Sequence, residues 1–156
     1  MVITSVPGLS EQTSAQAAAV LQSRLAAYND LSLTLKHIHW NVTGPNFIAV
    51  HEMIDPQVDL VRGFADEAAE RIAALGGEPL GTVASVTNAI AYPLNRGGAN
   101  RHLAALDQVY SQVIIANRQA IEALEIDPVS QDLVVGATAE LEKFQWFVRA
   151  HLEDVN

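Results

Sequence analysis

Apolar residues recur every three or four positions between Ser10 and Asn41, at Leu21, Leu25, Tyr28, Leu31, Leu35 and Ile38. That is the period of one helix face, sustained for about eight turns, and it commits the first fifth of the chain to a single long α-helix. Ser10, after Pro7-Gly8, is placed to cap it. Val42-Thr43-Gly44-Pro45-Asn46 then breaks the pattern, because Gly and Pro together disfavour continuation.

A second helical stretch runs from about Phe47 to Leu75 and stops at Gly76-Gly77. Pro56 lies in its interior, removes one backbone hydrogen bond and predicts a kink about three turns in. Residues 76–97 are rich in Gly and Pro and form a long connection, within which Thr82 could cap a short helix through Ile90. A third helix, about Ala99 to Leu124, carries Leu103, Leu106, Tyr110, Val113, Ile114 and Ile121 on one side. The fourth opens at Asp127-Pro128, with Asp as cap and Pro in the first helical position, and runs to about Glu153. Two helices, a long crossover carrying a short helix, then two more is the connectivity of ferritin-like four-helix bundles. The expected fold class is all-α, as one domain over 1–156, with 1–9 as an N-terminal extension and 154–156 as a short tail. No strand signal or internal repeat competes.

Composition narrows the chemistry. There are no cysteines, which excludes disulfides, thiolate metal sites and a cysteine nucleophile. No apolar run is long enough to predict a membrane-spanning helix, and the first residues lack the pattern of a secretory signal, so a cytoplasmic protein is expected. Eighteen Asp and Glu against nine Lys and Arg give a formal charge of −9. Such a chain attracts cations and repels nucleic acid.

Iron-type chemistry in a bundle needs oxygen and imidazole ligands held on helices. The usual arrangement inside one bundle uses Glu-x-x-His motifs, and no glutamate here has a histidine three residues later. The second helix instead carries two one-turn pairs, His51 with Asp55 and Asp66 with Glu70. Asp55 and Glu70 are about 22 Å apart along the axis, too far for one ion to touch both. If both pairs bind the same ion, they come from two subunits, with two such helices crossing antiparallel about a twofold axis. His39, at the end of the first helix, would lie near His51 in an up-down pair.

Each residue also has a plainer reading. Asp66 and Glu70 could be a solvated face, although like charges one turn apart are mildly unfavourable without a cation between them. A lone His51 would serve as a surface or hydrogen-bonded histidine, and that reading is kept for His37, His102 and His151. Trp146, Phe144 and Phe147 read as packing residues.

The run His39-Trp40-Asn41-Val42-Thr43-Gly44-Pro45-Asn46-Phe47, followed by His51-Glu52-Met53-Ile54-Asp55, resembles the signature of the Dps family of miniferritins, and Asp66-Glu67-Ala68-Ala69-Glu70-Arg71 matches its second half. The stretch from Glu142 to His151 resembles the family's last helix. The resemblance implies a hollow homo-oligomer of twelve subunits that stores iron. Its ferroxidase site would lie at each dimer interface, with His39, His51 and Asp55 from one subunit and Asp66 and Glu70 from the other. It further implies Fe(II) and hydrogen peroxide as reactants, ferric mineral as product and Trp40 as a sink for stray oxidising equivalents. Asp127 and Asp132 would line a threefold channel for iron, although Asp127 is also explained as a helix cap.

The family's DNA binding usually rests on basic tails. No Lys or Arg precedes the first helix, and none follows Arg149, so no appreciable DNA binding is expected of these residues. A DNA-protecting nucleoid shell and a metal-dependent hydrolase are the competing readings. No Gly-x-Ser-x-Gly elbow supports the latter.

Overall fold

The computed structural model describes residues 6–86 and 88–153, so the 154–156 tail and most of the expected N-terminal extension lie outside the described residues. Four long helices form the fold: α1 (Glu11–Asn41), α2 (Phe47–Ala74), α3 (Ala99–Ala123) and α4 (Pro128–Leu152). Helix α1 packs chiefly on α2, and α3 on α4.

Each boundary has a local cause. The Ser10 hydroxyl accepts a hydrogen bond from the Thr13 amide at 3.0 Å, the N-cap read from the sequence. Helix α2 ends where Gly76 turns left-handed at φ 84°. The Gly77 amide then donates to the Ile72 carbonyl and the Gly76 amide to that of Ala73, satisfying carbonyls the helix would otherwise leave open. Pro56 sits inside α2 without ending it. Its missing N–H leaves the Glu52 carbonyl without a helical partner. The core combines Leu21, Tyr28, Leu35 and Ile38 of α1 with Ile54 and Val61 of α2, Leu106 and Tyr110 of α3, and Leu141 and Val148 of α4.

The crossover departs from expectation. The expected short helix starts after Thr82 but does not run to Ile90: among the described residues it is one 3-10 turn, Val83–Ser85, and the Thr82 side chain makes no capping bond. The segment is strapped across α1 by side chains that bind its backbone. Gln22 bonds the Leu80 amide and carbonyl, both at 2.9 Å, and Asp30 accepts from the Ile90 amide at 2.8 Å. Asn88, at φ 56°, cannot belong to a right-handed helix. A two-residue parallel ladder was also unexpected: β1 (Val42–Thr43) pairs with β2 (Gly97–Gly98). It ties the α1–α2 turn to the end of the crossover and is too short to leave an alternation signal.

Candidate metal centre

The turn at 42–46 folds the end of α1 against the start of α2, and with it His39 against His51. Their rings stack 3.6 Å apart at 20°. Nδ1 of His39 lies 3.0 Å from the His51 carbonyl oxygen, and Nδ1 of His51 lies 2.9 Å from the His39 carbonyl oxygen. A carbonyl only accepts, so each Nδ1 is the donor and each neutral ring carries its lone pair on Nε2. Two imidazoles are thus held by backbone carbonyls in a tautomer that leaves Nε2 available to a metal. His39 is buried, and the Phe47 ring packs 4.9 Å from that of His51.

Asp55 belongs to the same cluster, its Oδ1 lying 3.3 Å from His39 Nδ1. The same oxygen accepts from Lys36 Nζ at 2.6 Å. That hydrogen bond is the main reason the Asp55 carboxyl sits below its usual range, with desolvation opposing it and the charge of Lys36 adding to it.

Asp66 and Glu70 stand apart from this cluster. Both are exposed on α2, one turn apart, and neither has a salt-bridge partner among the described residues. Within one chain, no three His, Asp or Glu side chains among the described residues converge into a set that could hold a metal ion. His51 and Asp55 near the start of α2 and Asp66 and Glu70 further along it are thus separate within one chain. Trp40 projects outward beside His39, 71% exposed, at the rim of a groove shared with Leu33, His37 and Tyr92.

Asp127 departs from its expected surroundings. It precedes α4, but its side chain makes no capping bond to the helix backbone. It is buried at 2% exposure, accepts from Arg71 at 2.8 Å and from the Ser130 hydroxyl, and so links the end of α2 to the start of α4. Burial pushes its carboxyl upward, and the bonds from Ser130 and Arg71 outweigh that and hold it low. Asp132 is exposed and has no salt-bridge partner among the described residues.

Lys36 escaped the sequence reading, and Phe47 and Arg71 entered it only as members of the motifs, without a role. Lys36 could have been found, because it lies one turn before His39 on the same face of α1.

The family model described as Ferritin-like domain matches residues 18–156. Among sequences, the chain is 58% identical over 153 residues to the "DNA protection during starvation protein" of Mycolicibacterium smegmatis, covering 96% of this chain and 84% of that one. It is also 50% identical over 156 residues to the "Fine tangled pili major subunit" of Haemophilus ducreyi, covering 97% and 82%. Among structures, Mycobacterium smegmatis Dps in its tetragonal form superposes with a TM-score of 0.95 at 57% identity, over 99% of this chain and 96% of that one. DpsA14 from Streptomyces coelicolor gives 0.93 at 54%, over 98% and 94%. The chain belongs to the Dps family of ferritin-like proteins.

Proposed function

We propose that the protein is a ferroxidase that oxidises Fe(II), preferentially with hydrogen peroxide, and stores the ferric product inside a hollow cytoplasmic dodecamer. The observation that carries this reading is the His39–His51 pair, both Nε2 lone pairs free and Asp55 alongside, on the helix that also presents unpaired Asp66 and Glu70. Imidazole and carboxylate donors suit iron, and incomplete sets from one chain leave positions open to the oxidant. Two copies of α2 crossing antiparallel about a twofold axis would bring His39, His51 and Asp55 of one subunit to Asp66 and Glu70 of the other, twice per dimer.

The reaction balances without a further reductant. Two Fe(II) give one electron each, the O–O bond of peroxide breaks, and two protons complete two waters. No one-electron fragment of peroxide need escape. Trp40, exposed beside His39, is the side chain we assign to quench any that does. Asp132 has a free carboxylate to guide iron inward. Asp127, already holding Arg71 within the chain, has less to offer a channel. Protection of DNA would then follow from removing iron and peroxide, since twelve copies of a chain charged −9 present a poor surface to phosphate.

Anaerobic loading with Fe(II) followed by peroxide tests the reading. Consumption of about two irons per peroxide, with no hydroxyl-radical spin adduct, supports it. A stoichiometry near one with abundant adduct contradicts it. Retention of plasmid in a low-salt gel shift would favour the DNA-binding shell instead.

A further inference from the structure

A second site lies away from the metal centre, in a cleft of about 300 Å³ between α1, α3 and the crossover. Its one cationic side chain is Arg24. The guanidinium is half-buried, and its Nε donates to Ser23 Oγ at 3.2 Å while one terminal nitrogen donates to Asn117 Oδ1 at 3.1 Å. Both acceptors are neutral, and three of the five guanidinium N–H donors remain unfilled. Acidic residues outnumber basic ones eighteen to nine, yet none pairs with Arg24 among the described residues. Lys36, Arg71, Arg118, Lys143 and Arg149 have carboxylate partners, and Arg62, Arg96 and Arg101, which have none among the described residues, are exposed; Arg24 is the unpaired cation that is part-buried. Burial also lowers the Arg24 pKa. Sequestered charges in folded proteins are ordinarily paired.

The walls indicate what would complete the pair. Ala27, Ile90, Val113 and Ala116 supply apolar surface, and Gln112 a polar head. Asp30 also lines the cleft while its carboxylate accepts from the Ile90 amide, so a multiply charged anion would meet repulsion there. Asn88 lines it in a left-handed conformation that side chains other than glycine adopt at a cost.

We propose that this cleft binds a small monocarboxylate, its carboxylate on the unfilled Arg24 donors and its short apolar body against Ala27, Ile90, Val113 and Ala116. A guanidinium presents paired donors that match the two oxygens of a carboxylate. The cleft volume is at the small end of ligand pockets. The occupant would bridge the α1–α3 face and the crossover, and so brace the segment that lacks a helix of its own.

Titration calorimetry on the assembled protein with butyrate tests this. The expected result is saturable binding at one site per chain, weakened about tenfold or more in Arg24→Gln and abolished by Ala116→Phe, which fills the cleft and leaves the guanidinium. Inorganic phosphate should not displace butyrate. Hydrogen exchange on the wild type gives a readout independent of either variant folding: amides of the crossover, Ile90 included, should slow on butyrate addition. Absence of saturable binding, unchanged affinity in folded Arg24→Gln, displacement by phosphate at equal concentration, or unaltered exchange would each overturn the assignment.

Discussion

Lys36 Nζ lies 2.6 Å from Asp55 Oδ1, so the ammonium already occupies the one carboxylate that completes the histidine cluster. A metal arriving at Asp55 can take the other carboxylate oxygen, but it does so next to the fixed positive charge of Lys36. Removing the charge removes a repulsion that acts on both charges of a divalent ion and that solvent screens only in part. Lys36→Gln is therefore expected to tighten anaerobic Co(II) binding about fivefold, read by calorimetry. Weaker binding in that variant would mean that Lys36 holds Asp55 in place for the metal.

The Arg71–Asp127 pair makes a prediction about stability. Both side chains are largely removed from solvent, and breaking such a pair by deleting one partner costs about 3–5 kcal/mol. Asp127→Ala should lower the denaturant midpoint accordingly. The Asp127 carboxyl is held below its unfolded value, so the stabilisation is full above about pH 4 and is lost as pH falls through the folded pKa. The gap between wild type and variant should accordingly shrink in acid. A gap that widened there would contradict the ion pair.

Gly76 makes a narrower one. At φ 84° a side chain is strained whatever space surrounds it. Gly76→Val should cost about 1–2 kcal/mol by chemical denaturation and leave the rate of iron oxidation unchanged. A neutral effect on stability would show that the end of α2 has another way to terminate.

The readability of this sequence follows the range of the interactions. Helix periodicity and terminal signals act within a few residues, so α1 to α4 and the Ser10 cap could be read directly. The closeness of His39 and His51 followed because a short turn between two long helices leaves one way to pack them. The crossover and its short helix are legible, but the length of that helix is not, because the segment is held by Gln22 and Asp30, more than fifty residues earlier, and its local sequence carries no trace of them. The Asp127 side chain was misjudged for the same reason: its partner Arg71 is 56 positions away. Arg24, Tyr28, Asn117 and Thr138 form a buried polar chain that no periodicity announces.

The central claim is that each centre is shared by two chains, and co-assembly tests it most directly. Copies carrying Asp66→Ala with Glu70→Ala keep the histidine cluster, whereas copies carrying His51→Ala keep the carboxylate pair. Each is expected to be inactive alone with shell size unchanged. Co-expressed in equal amounts under separate tags and purified as mixed shells, they should recover about a quarter of the wild-type rate of peroxide-driven Fe(II) oxidation. That is the fraction of centres at which an intact histidine cluster meets an intact carboxylate pair: half the interfaces are mixed, and each mixed interface has one of its two centres intact. No recovery in mixed shells of normal size would contradict the shared centre.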